Sequence, residues 1–392
     1  MKKILSLLLA LCFVISALFA VTACNDEADE KAEAPIKFSY TLVKENDDTY
    51  YSLKSVTISE KAKELVDKND YDKLAELFNT AVEGYTAPET KYDKTTVRTL
   101  VVPTTYNNKA VKAISADAVA GLTFVKKIVV GENIEKIAEG AFSSLTSLEE
   151  IEIPFVGGEY NAKNEKKLFG YIFGTTSGDG LTACEQKYND GDSDNTKTYY
   201  IPSSLKTVTV KKGNAKKTEE LKYKIDGDKY VYSTDEGYMD IAGTEYTINE
   251  DKSEYAVSAY SFYNCTTVET VNLSGVTEIE AYTFYGCTGI KTLKVSDGVT
   301  VIGNNAYENC TSLKTLDLNN VTAIGDSAFK GCTSLGADYL DKANDGVDFT
   351  NVTSVGDYAF YGCTSLAKIT NYNGSITKNH IFDETEFIKH IA

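Results

Sequence analysis

The chain has 392 residues, of which 42% are hydrophobic, so it is long enough to bury a large core. Its 57 acidic and 40 basic residues give a formal net charge of −17. Phosphate binding requires a concentrated basic surface, so this charge disfavours a nucleic-acid partner and predicts an acidic, well-solvated surface.

The first 24 residues have the pattern of an export signal. Two lysines precede an apolar run from Ile4 to Ala20, as in the positive and hydrophobic regions of a secretory signal. The next four residues resemble the lipobox of bacterial lipoproteins, in which small residues precede a cysteine that is lipidated and becomes the new N-terminus. These residues are Val21, Thr22, Ala23 and Cys24.

The lipobox resemblance implies that residues 1–23 are removed and that acyl chains on Cys24 tether the protein to a membrane outside the cytoplasm. Residues 24–35 are then a flexible acidic stalk, because the sequence after the cysteine is charged and lacks an apolar pattern. A plain transmembrane helix is the alternative, but the apolar run is short and charged residues follow it at once.

The segment 36–96 is predicted to cap the start of a repeat array and to contain inserted helices. Ser59 is placed to cap the helical region and Gly84 to end it. We expect the inserted helices to pack over the end of the array, with partner binding as the alternative. The apolar residues at helical spacing are Leu65, Leu74, Leu77 and Phe78.

Beyond this cap, a short sequence motif recurs in which an aromatic residue follows a small one. Between Phe262 and Phe329 the aromatic returns after 22 or 23 residues, a period typical of leucine-rich repeats. A period of this length is too short for a strand plus a full crossover helix, so each unit must return through a second short strand or a tight helical turn. The aromatic positions are Phe142, Phe262, Phe284, Tyr307, Phe329 and Phe360, with Val119 as a degenerate first copy.

Each unit also contains apolar residues at period 2, such as Leu316 and Leu318, which predict a short strand with one buried face. A single unit cannot bury this face, but stacked units share a continuous core. The repeats therefore predict an elongated solenoid whose parallel strands lie about 4.8 Å apart.

The repeated motif is similar to the BspA-type bacterial leucine-rich repeat, and the similarity extends over most of the chain after residue 36. The family implies a right-handed solenoid on the cell surface, with roles in adhesion and in binding host proteins. It provides no common binding residues for this chain. The matching positions in one copy are Val321, Ile324, Gly325, Ala328, Phe329, Cys332, Thr333, Ser334 and Leu335.

Insertions interrupt the repeats, and loops on a rigid scaffold are where binding specificity usually resides. The stretch rich in Tyr, Gly and Asn after Pro154 predicts a long surface loop, and "IDGD" between β-prone runs predicts a hairpin. After the export signal and stalk, the predicted segments are the cap at 36–96, first repeats at 97–153, an irregular loop at 154–202, a repeat strand at 203–210, a hairpin insertion at 211–255, regular repeats at 256–370 and a C-terminal cap at 371–392.

Five cysteines occur in register, three residues after the aromatic position. Earlier copies carry Leu122 and Leu145 there, and leucine can replace a packing residue but not a disulfide partner or a metal ligand. We therefore predict a structural ladder of buried thiols and no metal site, with Cys184 as a separate, exposed and reactive thiol. The ladder consists of Cys265, Cys287, Cys310, Cys332 and Cys363.

Asp190, Asp192 and Asp194 occupy the first, third and fifth positions of a calcium-loop pattern. The pattern then requires Gly and Glu where the chain has Asn195 and Ile201. Weak calcium binding is one interpretation, and a flexible acidic loop is the favoured one.

Catalytic residues are hard to assemble from this sequence. Its two histidines, His380 and His390, follow the last repeat, and no nucleophile elbow or phosphate loop is present. We therefore predict a non-catalytic protein without a cofactor.

The sequence has 27 tyrosines and no tryptophan, and many tyrosines cluster in the insertions. Tyrosine suits protein recognition, although these rings could instead cover hairpin faces. We predict a cell-surface lipoprotein that binds an extracellular protein, with glycan capture or a purely structural envelope role as alternatives. The candidate ligand-binding residues are Tyr160, Tyr188, Tyr199, Tyr230, Tyr232 and Tyr238.

Overall fold

A computed structural model describes most of the chain between residues 33 and 385. The described residues are 33–45, 48–82, 85, 91–190, 193–211, 218–226, 229–232, 245–251, 257–337, 346–372 and 380–385. The export signal, the lipobox, Cys24 and His390 lie outside them. No helix within these ranges is both long and apolar enough to cross a membrane.

The chain enters the fold through a hairpin and two short helices. Strands β1 (Ile36–Glu45) and β2 (Asp48–Ile58) pair antiparallel, and helices α1 (Glu60–Asp67) and α2 (Tyr71–Phe78) follow. The Ser59 side chain accepts a hydrogen bond from the first turn of α1, which satisfies one of the unpaired N–H groups there. The helical region is thus two helices, and their buried residues join the common core.

The first repeats contribute six short strands. Strand β6 pairs in parallel with β3 and β8, so successive repeats lie side by side. Strand β5 pairs in parallel with β2 and β7, which attaches the entry hairpin to the repeats. The strands are β3 (Thr99–Val101), β4 (Thr105–Tyr106), β5 (Lys109–Ile114), β6 (Lys127–Val129), β7 (Lys136–Ile137) and β8 (Glu150–Ile153).

The predicted loop at 154–202 is wrong in its second half, which is a regular hairpin. Two short 3-10 helices, Asn164–Lys167 and Phe169–Ile172, lead into β9 (Leu181–Asp190) and β10 (Ser193–Pro202). The two strands pair antiparallel over their whole length. The polar composition concealed this hairpin because one of its faces packs on the repeats, which the composition alone does not reveal.

The chain then returns to the repeats before a second insertion. Strand β11 (Thr207–Val210) continues the parallel line of β8. The backbone of β12 (Thr218–Asp226) pairs antiparallel with both β13 (Lys229–Tyr232) and β14 (Glu245–Asp251). The predicted hairpin region therefore contains three paired strands.

The remaining repeats consist of short strands joined by tight turns. Strand β15 pairs in parallel with β11 and so extends the sheet that contains β3, β6 and β8. Strands β16, β18, β20 and β22 form a second parallel sheet in that order. The strands are β15 (Thr270–Leu273), β16 (Glu278–Ile279), β17 (Thr292–Lys294), β18 (Val301–Ile302), β19 (Thr315–Asp317), β20 (Ala323–Ile324), β21 (Val347–Asp348), β22 (Ser354–Val355) and β23 (Ile369–Thr370).

A column of stacked aromatic rings forms the centre of these repeats. Phe284 lies between Phe262 and Tyr307, with ring centroids 5.1 and 5.0 Å apart, and the column continues to Phe329 and Phe360. All five side chains are buried. The unit spacing of about 4.8 Å therefore suits offset stacking, in which ring centroids are about 4.5–7 Å apart, and each unit adds one ring to the core.

Where a glycine follows the buried Ile or Val of a unit, as at Gly303, Gly325 and Gly356, neighbouring units are in close contact. A Cβ on Gly325 would lie 2.7 Å from the backbone nitrogen of Asn304 in the preceding unit, and one on Gly303 would lie 2.8 Å from that of Ala281. A Cβ at Gly303 or Gly325 would crowd that backbone, whereas other units accommodate a larger residue at this position, such as Glu280.

Candidate functional site

Of the six predicted ligand-binding tyrosines, the structure describes the side chains of Tyr160, Tyr188 and Tyr199. Tyr160 and Tyr188 are partly buried, and Tyr160 packs against the core. Tyr230 and Tyr232 lie on β13, of which only the backbone is described, and Tyr238 lies outside the described residues.

Tyr199 is the clearest correction among them. Its side chain is fully buried, and a Cβ on Gly170 would lie 2.5 Å from its own Cβ. It is therefore a core residue under the hairpin, and its prediction as a ligand contact is wrong. Tyrosine content alone could not distinguish a ring that packs inward from one that faces solvent.

Cys184 also differs from its prediction. It was expected to be exposed and reactive, but only 3% of its surface is accessible. Its Sγ lies 3.1 Å from the backbone oxygen of Asn264 and 4.0 Å from the Sγ of Cys265. The hairpin carrying Cys184 packs against the repeats, and this contact removes the thiol from solvent.

The five cysteines of the ladder are buried and unbridged, as is Cys184. The Cys287 thiol donates to the backbone oxygen of Phe262 at 3.0 Å, and Cys310 donates to that of Phe284 at 3.2 Å. Burial raises the pKa of both thiols well above the ordinary value, because a thiolate would lose its solvation. A protonated, hydrogen-bonded thiol is a poor nucleophile, so the ladder has the chemistry of packing.

The calcium pattern falls at the tip of the hairpin β9–β10. Asp190 ends β9, Asp192 lies outside the described residues, and Asp194 is on β10. The Asp194 carboxylate lies 2.6 Å from the Nζ of Lys187, so a lysine already neutralises it. Within the described ranges, no group of three or more acidic, His or Cys side chains could hold a metal ion.

One edge of the repeats carries partly buried tyrosines that were not predicted as a site. They occur two residues before and one residue after the buried core aromatic, which gives two parallel columns along the stack. We call the four tyrosines in the first two of these units the tyrosine platform; they are Tyr260, Tyr263, Tyr282 and Tyr285.

The rings of the platform are stacked in pairs. Tyr260 and Tyr282 have centroids 4.9 Å apart and an interplanar angle of 8°, and Tyr263 and Tyr285 have centroids 4.7 Å apart and an angle of 7°. All four are partly buried. Burial, with Tyr285 beside it, raises the pKa of Tyr263 to about 12, so this ring is uncharged at neutral pH.

The backbone at the first column has an uncommon conformation. Tyr260 has φ of 67° and Tyr282 has φ of 59°, both in the left-handed region. Asn305, in the next unit, has φ of 57° and is a residue that tolerates this region. A bulky residue there has an energetic cost, and such strain is concentrated at functional positions.

Positive charge borders the platform at the side of the insertion. The Nζ of Lys167 lies 5.2 Å from the centroid of the Tyr260 ring, a cation–π distance. Lys187 and its ion-pair partner Asp194 also contribute to the electrostatic surroundings of Tyr260. The platform thus combines apolar ring edges, hydroxyl groups and adjacent charged groups of both signs.

The columns are interrupted after the platform and then resume. The next two units carry Asn305 and Ser327 in the first column, and the following unit carries Tyr358. Tyr358 is 41% exposed and stacks on His380 with centroids 5.2 Å apart. The sequence signal was present, since "AYSFY", "AYTFY" and "DYAFY" place tyrosines at fixed positions of the repeat.

A second concave feature lies near the chain entry. An apolar cavity of about 870 Å³ opens between the entry hairpin, α2 and β3, and its lining includes Phe38, Tyr40, Phe78 and Tyr106. Nothing in its described lining identifies an occupant. The tyrosine platform is therefore the stronger candidate for a functional surface.

The family described as BspA type leucine rich repeat region matches the chain in six copies. The matched residues are 98–161, 244–344 and 347–392, which together exceed half of the chain. No curated protein matches the chain significantly.

Several solved structures are similar to the chain. A leucine-rich repeat protein of T. pallidum is 30% identical over 29% of this chain and 50% of its own, with a TM-score of 0.25, so the chain spans half the length of that protein. A leucine-rich repeat protein from Bacteroides ovatus is 16% identical, with coverage of 87% and 97% and a TM-score of 0.26. A leucine-rich cell surface protein from Faecalibacterium prausnitzii is 14% identical, with coverage of 94% of each chain and a TM-score of 0.27.

Proposed function

The chain belongs to the BspA-type leucine-rich repeat family, and from this membership we propose that it is a non-catalytic cell-surface lipoprotein that binds another protein through its tyrosine platform. Leucine-rich repeat proteins generally mediate protein–protein interaction or adhesion, and BspA-type proteins are typically found at the cell surface. The proposal adds a particular surface and a particular attachment to that general role.

The proposed architecture is a right-handed solenoid with an N-terminal cap that includes inserted helices and with a hairpin-rich insertion in mid-chain. Parallel strands in successive units support it, because connections between parallel strands are almost always right-handed. The position of β12, β13 and β14 between two repeat strands supports the mid-chain insertion.

The proposed attachment is a lipid anchor at Cys24, after cleavage behind Val21, Thr22 and Ala23. The charged, apolar-poor residues that follow support a stalk that holds the repeats away from a membrane. A location outside the cytoplasm follows from this anchor, and the net charge of −17 supports a partner that is not a nucleic acid.

The observation that carries the binding proposal is the pairing of tyrosine rings on a solvent-facing edge. Tyrosine provides a large contact area with few rotatable bonds, and stacking between neighbouring units restricts these rings further. Pre-organised side chains lose little entropy when a partner binds. The family and the absence of an assembled catalytic set in the sequence support a role without chemistry.

The same stacking favours a protein over a glycan. Sugars bind to open ring faces, and in this platform the ring of the neighbouring unit covers one of the two faces of each ring, which reduces the area open to a sugar. Ring edges, hydroxyls and the outer faces of the stacked pairs suit the mixed apolar and polar surface of a protein.

The test is binding of the chain from Asn25 onward, which retains every residue that the structure describes, to an array of extracellular proteins and glycans. A double variant, Tyr282→Asn with Tyr285→Lys, replaces ring positions with residue types that neighbouring units use there. Tyr188→Ala serves as the matched control in the predicted insertion surface.

Saturable protein binding that the double variant reduces at least tenfold, and that the control retains, supports the proposal. Binding to glycans alone would indicate the capture function instead, and binding to neither class would indicate a structural role. Protein binding that is lost only in the Tyr188→Ala variant would move the site to the insertion.

A further inference from the structure

The interruption of the tyrosine columns has a regular pattern. In the first column the side chains are Tyr260, Tyr282, Asn305, Ser327 and Tyr358, and in the second they are Tyr263, Tyr285, Glu308, Lys330 and Tyr361. Two units with rings are thus followed by two without rings and then by one with rings. We call the interrupted part, floored by Asn305, Glu308, Ser327 and Lys330, the slot.

Backbone hydrogen bonds show that these residues belong to consecutive units in one register. Tyr282 donates to the backbone oxygen of Asn304 at 3.0 Å, and Asn305 donates to that of Asp326 at 2.9 Å. Ser327 donates to the backbone oxygen of Asp357 at 2.8 Å, so the inserted residues between these units leave the register unchanged. The slot therefore lies directly in line with the platform.

The slot has the length of two missing rings. Three unit steps separate Tyr282 from Tyr358, which is about 14 Å at a spacing of about 4.8 Å. Two additional rings at this spacing would make the first column continuous. The faces of Tyr282 and Tyr358 that point along the column toward the slot form its end walls.

The floor of the slot is polar and internally paired. The buried Glu308 carboxylate accepts a hydrogen bond from the Asn305 side chain, and the Nζ of Lys330 lies 3.3 Å from it. Because Lys330 neutralises this carboxylate, the floor can receive hydroxyl groups without exposing an unpaired buried charge. An occupant with planar apolar bodies and hydroxyl tips matches both the walls and the floor.

We propose that the slot of one copy of the chain receives the tyrosine platform of a second copy. The platform presents two rings per column at 4.9 and 4.7 Å, the spacing that the slot lacks. A partner built on the same repeat matches this spacing without adjustment, whereas residues alternating along one face of a single strand are about 6.6 Å apart.

The pattern is self-complementary under a two-fold axis perpendicular to the stack. If the two copies pack face to face with their stacking axes antiparallel, the two platform units of each lie opposite the two slot units of the other. A contact of this kind is isologous, so it closes at a dimer and does not extend into a fibre. If the stacking axes of the two copies were parallel, rings would lie opposite rings and the surfaces would collide.

The antiparallel arrangement determines where the membrane anchors of the two copies lie. The N-terminal ends of the two copies lie at opposite ends of such a pair, so with the proposed anchors the pair suits two facing membranes better than one. The contact is small compared with stable interfaces, and the net charge of −17 opposes it. We therefore expect weak pairing that becomes effective when many copies on each surface act together.

This inference rests on the proposed function and deepens it by naming a partner. The test is sedimentation of the chain from Asn25 onward over rising concentrations at moderate ionic strength. One variant removes rings from the first column, Tyr260→Asn with Tyr282→Asn, and asparagine is compatible with the left-handed backbone at both positions. A second variant fills the slot, Asn305→Tyr with Ser327→Tyr, and Tyr188→Ala is the control.

We expect the unchanged chain and the control to shift toward twice the monomer mass, and each double variant to pair at least tenfold more weakly. An equimolar mixture of the two variants is expected to restore pairing, because every missing ring of one then lies opposite an added ring of the other. Circular dichroism spectra that match the unchanged chain show that both variants are folded.

A chain that remains monomeric at every concentration overturns the inference, as does pairing that either variant leaves intact or a mixture that stays monomeric. Binding on the protein array is an independent readout. A monomeric chain that still binds an array protein through Tyr282 and Tyr285 overturns this inference and leaves the proposed function standing.

Discussion

The interior of the repeats and their tyrosine edge follow different rules, although both contain aromatic residues. In the interior column every unit from Phe262 to Phe360 supplies a ring, and Tyr307 takes the place of a phenylalanine without a break. At the edge, two units supply rings, two do not, and one does. Continuity is necessary where a gap would be a cavity, whereas the edge can vary because solvent fills its gaps. The residues at the edge can therefore differ from unit to unit in a way that serves binding.

An alkaline titration should affect the interior most strongly. Burial raises the pKa of Cys265, Cys287, Cys310 and Cys332, so the folded state keeps protons that the unfolded state releases. The stability from these thiols is complete below the unfolded pKa of about 8.5 and declines as pH rises above it, by up to about 1.4 kcal/mol per thiol per pH unit.

Urea denaturation at pH 7 and pH 10 checks this expectation, with a loss on the order of several kcal/mol. A Cys310→Ala variant should lose less between the two pH values, because it has one buried thiol fewer. Equal stability at both pH values would contradict the burial of the ladder.

Removing an interior ring should have the next largest effect. Phe284→Ala opens a cavity between Phe262 and Tyr307, and we expect a loss of about 3–5 kcal/mol in the free energy of unfolding. Phe284→Tyr is the matched control, because the next unit already holds a tyrosine at this position. Similar urea midpoints for the alanine variant and the unchanged chain would show that the column is not a packed core.

Removing the buried hydroxyl of Tyr199 should have a smaller effect, and it should increase stability. Its oxygen has no hydrogen-bond partner among the described residues, and burial raises the pKa of the side chain. Tyr199→Phe removes the unsatisfied group and keeps the ring, so we expect a gain of about 1 kcal/mol in stability. A thermal melt of both proteins measures it, and a clear loss would indicate that the hydroxyl is satisfied in solution.

The smallest effect on stability is expected at the edge. Tyr282→Asn lies two residues from Phe284 in the same unit, yet we expect a change within about 0.5 kcal/mol. The lost ring stacking, worth about 0.5–1.5 kcal/mol, is offset by relief of the left-handed backbone at this position. The same urea experiment compares it with Phe284→Ala, and a loss as large as that of the alanine variant would remove the distinction between edge and interior.

Much of the fold could be predicted because the same pattern of residue types recurs in each unit. The glycine in "AIGDSAF" marks the close contact between units, and the aromatic at its end enters the ring column. The hairpin at 181–202 could not be predicted from composition, because its polar strands are ordered by contacts such as that of Cys184 with Asn264, which are distant in sequence. The same contact explains why a reactive thiol was the wrong prediction.

The sequence predicted the type of residue at the candidate site, tyrosine, but not the position of the site in the chain. The sequence indicated that tyrosine would matter, and the insertions attracted attention because tyrosines cluster there. Tyr199 turned out to be buried, whereas Tyr282 and Tyr285, within the regular repeats, lie at the edge. Tyr285 and Tyr307 occur within one unit length of each other, and only their position relative to the core aromatic separates surface from interior.

By itself, the sequence determined the repeat, its period, the buried ladder and the export signal pattern, because these depend on local spacing and on residue type. The tertiary structure alone decided which rings meet, since stacking joins residues 22 or more positions apart, such as Tyr260 and Tyr282. It also set the two-unit gap between Tyr282 and Tyr358 in line with the platform, because hydrogen bonds between units preserve the register across an insertion that changes the spacing along the chain.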